Sequence, residues 1–289
     1  QDISCAGGTD GSITSQATGG AMPLSYTIQP GSQTNSTGQF SNLSANSYTI
    51  TVVDNNGCSV TTQVVLQEPL PLSVASTGST ILCAGGIGDI TVTGSGGTPP
   101  YQYALNGGVL QSSNQFTGYV AGTYTMSVSD ANGCTQTTTV VLTQPSAVNI
   151  SISATSILCA GGTGDITVTA VGGITPYQYA LNGGVLQSSN QFTGNVAGTY
   201  TMSVSDANAC TQTTIVSLSE PSVLQLQVVS TTSPGCVPGN NGSVTVAGAG
   251  GTPGYQYSIN GGISQGSGSF GSLSAGVYSL QVSDANGCS

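Results

Sequence analysis

The chain has no lysine, arginine, histidine or tryptophan in its 289 residues, and its only charged side chains are ten carboxylates. Its formal net charge is −10. Nucleic-acid binding depends on cations that displace condensed counterions from phosphate, so no nucleic-acid partner is expected. Anionic membrane surfaces are closed to it for the same reason. Catalysis is narrowed as far. Without histidine, the commonest general base near neutral pH and the commonest metal-ligating ring are missing. Without lysine there is no Schiff base, no phosphate-loop lysine and no amine for an isopeptide crosslink. Paired-carboxylate chemistry of the glycosidase kind stays formally open. The acids are thinly spread, however, and recur once per repeat, which is not how an active site is distributed. The chain reads as a non-enzyme. No run of 18 apolar residues exists, so no membrane insertion is expected, and no signal peptide opens the chain at Gln1.

What the sequence does have is repetition. Residues 81–142 align with 157–218 at an offset of 76, and nine of those 62 positions differ. More diverged copies flank them: Tyr48 to Cys58 reads YTITVVDNNGC and Tyr278 to Cys288 reads YSLQVSDANGC. The period, from Cys5 to Cys83 to Cys159 to Cys236, is 76 to 78 residues. The implied repeats are 1–69, 70–145, 146–221 and 222–289. The first lacks the segment that precedes Cys83 and Cys159, and the fourth lacks the strand that follows Cys58, Cys134 and Cys210. A slice of a longer array is therefore expected.

Each repeat reads as β throughout. Tyr124, Met126 and Val128 alternate with Thr125, Ser127 and Ser129, the period-2 pattern of a half-buried strand. Tyr48, Tyr200 and Tyr278 open the same pattern in the other repeats. Ile90 and Val92, and Val140 and Leu142, alternate likewise. Asn106-Gly107 and Asn182-Gly183 are hairpin signals, since both turn residues need positive φ; Asn132-Gly133 and Asn286-Gly287 suggest a second hairpin. Six or seven short strands in ~76 residues point to an all-β fold, a tandem array of four small immunoglobulin-like β-sandwiches. Phe40, Phe116, Phe192 and Phe270 add one inward aromatic per repeat. A unit this small buries only about 60% of its unfolded surface and needs further stabilisation.

Eight cysteines supply it, two per repeat: Cys5/Cys58, Cys83/Cys134, Cys159/Cys210 and Cys236/Cys288. An even count at regular spacing in a small β module implies disulfides and an oxidising compartment. Zinc would want a CxxC pair or histidine, and neither is present. Pairing within a repeat is expected, because it pins the final hairpin turn to the start of the module; each such loop is worth ~4 kcal/mol. Pairing across a junction, Cys58 with Cys83, is the alternative.

Other residues carry candidate chemistry. Tyr101/Tyr103, Tyr177/Tyr179 and Tyr255/Tyr257 sit at i, i+2; exposed they could stack on sugars, buried they line the core. Asp89 with Asp130, and Asp165 with Asp206, are weak calcium candidates and the only cofactor signal. A calcium site wants six to eight oxygens, so the competing reading has Asp54, Asp130, Asp206 and Asp284 bonding the backbone of their own turns. Sheet edges carry no lysine gatekeeper, which leaves self-association open. The junctions Glu68-Pro69-Leu70-Pro71, Gln144-Pro145-Ser146 and Glu220-Pro221-Ser222 are short and proline-stiffened, so an end-to-end rod longer than ~100 Å is expected, from strands of ~26 Å.

GGTPPYQYALNGG, then AGTYTMSVSDANGC and a strand ending in Gln-Pro or Glu-Pro, resembles the SprB repeat of very large cell-surface adhesins in gliding Bacteroidetes. The resemblance covers essentially the whole chain, four times over. It implies a secreted, cell-surface protein exported by the type IX system and held at the outer membrane by machinery outside this segment. Its partners would be other repeats of the same long chain, and its role adhesion, with gliding motility in some species. The expected function is a stalk or filament segment of such an adhesin. A self-assembling filament or matrix protein, and a weak carbohydrate-binding repeat, are the alternatives.

Overall fold

A computed structural model describes residues 1–235 and 239–289. Cys236, one of the eight cysteines, lies outside the described residues. Among those residues all regular structure is strand, as the alternation required. The chain forms two compact units, Gln1–Gln144 and Pro145–Ser289.

The first unit begins with β1 (Gly11–Thr14), β2 (Ser25–Gln29), β3 (Gln33–Asn35), β4 (Gln39–Leu43), β5 (Asn46–Val53) and β6 (Ser59–Leu66). They make two sheets, β1-β4 and β3-β2-β5-β6. Then come β7 (Ser73–Gly78), β8 (Gly88–Ser95), β9 (Gln102–Leu105), β10 (Gln115–Tyr119), β11 (Gly122–Ser129) and β12 (Thr135–Leu142). These form β10-β8-β7 and β12-β11-β9, the three-plus-three strand order of an immunoglobulin-like sandwich. The second unit repeats the plan. Its strands are β13 (Asn149–Ala154), β14 (Gly164–Val171), β15 (Gln178–Leu181), β16 (Gln191–Asn195), β17 (Gly198–Ser205) and β18 (Thr211–Leu218). β19 (Gln225–Thr232), β20 (Gly242–Ala249), β21 (Gln256–Ile259), β22 (Ser269–Leu273) and β23 (Leu280–Ser283) follow. Its sheets are β13-β14-β16, β15-β17-β18, β19-β20-β22 and β21-β23.

The cores are small and built by the expected residues. Ile90 and Val92 of β8 meet Met126 and Val128 of β11, all four fully buried. Their counterparts Ile166, Val168, Met202 and Val204 do the same. Each such side chain contributes about 1.5–3 kcal/mol. Phe40 and Phe116 are buried, while Phe192 and Phe270 are partly so and pack on the same clusters. The tyrosine that opens each alternating strand does more than fill space. Tyr48, Tyr124, Tyr200 and Tyr278 donate their hydroxyls to the carbonyls of Ser44, Val120, Val196 and Ser274, at 2.8–3.0 Å. That bond, from a ring back to the main chain four residues upstream, fixes the corner before the strand as in immunoglobulin-like domains.

The turns sort into two kinds. Asn106 and Gly107 have φ of 49° and 71°, and Asn182 and Gly183 have 50° and 71°, so both take the paired positive-φ form. Between β11 and β12 the expected hairpin forms differently. There only Gly133 has positive φ (82°), because the turn wraps around the carboxylate of Asp130. Gly57 and Gly287 occupy the same position at 82° and 84°, but the third repeat places Ala209 there, at φ 63°. A Cβ in the left-handed region costs roughly 1–2 kcal/mol. The substitution Ala209→Gly should therefore stabilise the protein by about 1 kcal/mol, read as a higher urea midpoint with an unchanged m-value; no rise would remove the assignment of strain at this turn.

Candidate functional site

The same polar cluster recurs at one end of every repeat. Asp130 follows β11, and its buried carboxylate accepts three main-chain N–H groups. Oδ1 takes those of Asn132 and Cys134, each at 2.9 Å, and Oδ2 takes that of Thr98, also at 2.9 Å. One carboxylate thus ties the turn ending in Cys134 to the Gly96-Gly97 turn between β8 and β9. A Cβ on Gly97 would lie 2.5 Å from Asp130 Oδ2, so the approach is open only to glycine. Asp54 repeats the pattern with Asn56, Cys58 and Ala21. Asp206 does so with Asn208, Cys210 and Ile174, and Asp284 with Asn286, Cys288 and Thr252.

These donors set the acidity of three of the clamps. The N–H groups of Ala21 and then Cys58 hold the Asp54 carboxyl below the ordinary aspartate value. Thr252 leads the same effect at Asp284. At Asp206 desolvation is the largest influence and pushes upward, but the N–H groups of Ile174, Cys210 and Asn208 together outweigh it.

A second turn stands at the other end of the first three repeats. Ile3 donates to the Gln67 carbonyl at 3.0 Å, Gln67 donates to Asp2 Oδ1 at 2.9 Å, and Gly7 donates to Glu68 Oε2 at 2.6 Å. Gln144 holds Gly85 and Glu220 holds Gly161 in the same way, at 2.8 and 2.6 Å. The acid or amide before the junction proline is therefore a fastener for the Cys-Ala-Gly-Gly turn. This role was not foreseen from the sequence, although its regular place before proline was visible.

Within each unit these two turns meet across the junction between its two repeats. Cys5 is bonded to Cys134 and Cys159 to Cys288, with Cα–Cα distances of 5.8 and 5.7 Å and a sequence separation of 129 in both. Cys83 and Cys210 are disulfide-bonded as well, and Cys58 is a free, exposed thiol. The expected pairing within a repeat is thereby overturned. β6 separates Cys58 from Gln67, which neighbours Cys5, so the two thiols stand roughly 26 Å apart; a bond needs Cα atoms within about 7 Å. The same geometry separates Cys83 from Cys134 by the length of β12, and Cys159 from Cys210 by that of β18. Cys288 is taken by Cys159, not by Cys236. The shorter Cys58–Cys83 alternative is not formed either. Asn132 completes the joint: its side-chain amide donates to the Ser4 carbonyl at 2.8 Å and to Thr98 Oγ1 at 3.1 Å. Asn286 does the same to Leu158 and Thr252, at 3.0 and 2.9 Å.

The remaining candidates have internal partners. Tyr103, Tyr179 and Tyr257 are buried in the cores. Tyr101, Tyr177 and Tyr255 are half-buried, and their hydroxyls donate to the carbonyls of Gly96, Gly172 and Gly250. The structure does not bring Asp89 to Asp130, or Asp165 to Asp206. Asp89 and Asp165 lie where β8 and β14 begin and accept from Gly118 and Gly194, each at 3.0 Å; the clamps lie beyond the far ends of those strands. Among the described residues no three His, Cys, Asp or Glu side chains gather as a metal site.

The fold and the bridged junctions define a protein built from tandem immunoglobulin-like β-sandwiches. Within that class the chain is built of SprB repeats: the family model described as SprB repeat matches residues 1–33, 77–110, 151–186 and 228–263. SprB repeats occur in cell-surface proteins, and repeat and fold together point to a structural, non-enzymatic chain. No helix among the described residues is long and apolar enough to cross a membrane. No curated protein matches in sequence. Solved structures with similar domains include the mouse nectin-like molecule 4 ectodomain (Ig1–Ig3), at 13% identity and TM-score 0.32, covering 72% of this chain and 92% of that one. The eight N-terminal Ig domains of Down Syndrome Cell Adhesion Molecule give 10% and 0.32, over 91% of this chain and 52% of that one. Protocadherin gammaB7 EC3-6 gives 13% and 0.30, over 96% and 92%.

The clamps at Asp54, Asp206 and Asp284 predict an acid-sensitive fold. A carboxylate whose folded pKa is depressed contributes stability that is fully present above its unfolded value, about 3.9, and is lost as pH falls through the folded value. With disulfides intact, the urea midpoint should drop between about pH 4 and pH 2, even though protonation relieves the repulsion among ten carboxylates. A midpoint that holds or rises through that window would show that the clamps contribute little.

Proposed function

We propose that the chain is a stalk segment of a secreted cell-surface adhesin, built to carry tension. One observation carries this reading: the disulfides join successive repeats instead of closing each repeat on itself. Tension applied at Gln1 reaches Cys5, crosses the bond to Cys134 and leaves along β12. The residues between the two cysteines, nearly two whole sandwiches, are shielded from it. At ~3.5 Å per residue, a separation of 129 residues withholds roughly 450 Å of chain from extension. A bond within a repeat would shield that repeat but leave the junction inside each unit to one strand of main chain. Export by the type IX system, attachment at the outer membrane and a part in gliding motility are carried by the SprB resemblance and belong to the same proposal.

Pulling the full chain by its ends tests it. The oxidised chain should fall short of the reduced chain's full extension by at least roughly 900 Å, the two loops together; equal extensions would overturn the reading.

A second reading, lateral assembly into a filament, is favoured by the sheet edges. β12 ends its sheet, carries no charge in TQTTTVVL and exposes Val141; β6 and β18 expose Val65 and Ile215 likewise. Uncharged edges of this length are templates for strand pairing. Electron micrographs of the purified chain would show regular lateral order if this is its use, and single threads if the stalk reading is complete.

A further inference from the structure

Every bonded cysteine of the Asp-x-Asn-x-Cys turn whose partner is described, Cys134 and Cys288, holds the Cys-Ala-Gly-Gly turn of a preceding repeat. Cys58 ends the same turn in the first repeat and is free and exposed. Its surroundings are already in the bonded form. The Asp54 carboxylate accepts Ala21, Asn56 and Cys58 N–H groups at 2.9–3.0 Å, matching Asp130 and Asp284 donor for donor. Asn56 stands where Asn132 and Asn286 grip the carbonyl that precedes the incoming cysteine. Beside the thiol lies a cavity of about 180 Å³ lined by Ala17, Gly19, Gly20, Leu24, Val52 and Asp54. At the equivalent place beside Cys288, Cys159 and Ala160 of the incoming turn are themselves part of the lining.

We propose that Cys58, Asn56 and this cavity form an acceptor site for the Cys-Ala-Gly-Gly turn of a further SprB repeat. The ligand chemistry is specific: a cysteine thiol with a main-chain carbonyl immediately before it, on a glycine-rich turn narrow enough to seat beside Asp54. The Asn56 amide donates to that carbonyl, and the two sulfurs bond. Two thiols become one disulfide by exchange with a protein or small-molecule disulfide of an oxidising compartment, which takes up the two electrons and two protons and leaves as two thiols. The inference extends the stalk reading to a new junction, yet its test reads a covalent adduct and can fail while the force measurement stands.

The probe is the peptide Thr-Ser-Ile-Leu-Cys-Ala-Gly-Gly-Thr, the sequence of residues 155–163, supplied as its mixed disulfide with glutathione. It is added to the folded, oxidised full chain carrying Cys236→Ser, so that one thiol reports. The Cys58 thiolate attacks the peptide sulfur, the new S–S bond forms, the old one breaks, and glutathione leaves as the thiol. Intact mass then gives the ratio of peptide adduct to glutathione adduct at equilibrium. The site should favour the peptide over glutathione about tenfold, and over a peptide of scrambled order by a similar factor. Asn56→Ala should lower that preference about fivefold, one hydrogen bond's worth. Equal capture of peptide, scrambled peptide and glutathione, or a preference that survives Asn56→Ala intact, would overturn the proposal.

Discussion

The disulfide between one repeat's leading turn and the next repeat's trailing turn is the constraint on which the rest of the structure depends. Among the described residues each sandwich has a core of fewer than ten buried side chains, and a unit of this size is marginal by burial alone. A bond inside the repeat would have lowered the entropy of one unfolded loop. The bond that forms closes a loop of 129 residues, worth about 5 kcal/mol on the chain-entropy account, and it spans two cores. Stability thereby becomes a property of the pair. The compact unit Gln1–Gln144 holds two sandwiches, and neither can unravel fully without its covalent partner limiting how far its chain departs.

The bond in turn requires the aspartate clamp. A cysteine at a hairpin tip is a poor anchor unless the tip is rigid, and this chain has no cation to pair with an acid there. The carboxylate instead takes three backbone donors, two from its own turn and one from the neighbouring glycine turn. Hydrogen bonds to an ionised acceptor are about twice as strong as neutral ones, so rigidity comes from main-chain groups that every residue supplies. This explains how a chain without lysine, arginine or histidine can still hold buried charge. It also explains why the acids recur once per repeat in the same register: they are structural fittings, and repetition multiplies them as it multiplies strands.

Much of this was legible in the sequence, and the part that was not has a definite cause. Period-2 alternation at Met126 and Val128, or at Ile90 and Val92, reports which face of a strand is buried, because sheet geometry is local. The Asn106-Gly107 turn was readable for the same reason, as was the choice of Asp130 to bond its own backbone. Disulfide partners are not local. Cys5 and Cys58 frame one repeat in the sequence, but β6 carries the chain the full length of the sandwich between Gln67 and Cys58. A regular spacing of two cysteines per period fits pairing within a repeat and pairing offset by one repeat equally well. The deciding fact, that the leading turn is fastened by Gln67 and Glu68 at the trailing end of its own repeat, needs the fold. Asn132 was hidden likewise: it looked like half of a hairpin signal, and its side chain acts on a carbonyl 128 residues away.

Offset pairing also has a consequence that pairing within the repeat would not. Where each repeat closes on itself, a run of repeats is chemically complete at any length. Where each bond takes one cysteine from a repeat and the other from its successor, any run leaves one acceptor turn without a predecessor's thiol. Within residues 1–289 Cys58 is that acceptor turn, with its clamp formed and a cavity beside it. The device that braces a junction is therefore the same device that would join one more repeat to it. The specificity of that joint lies in the fit of two turns, and the thiol–disulfide chemistry only seals it.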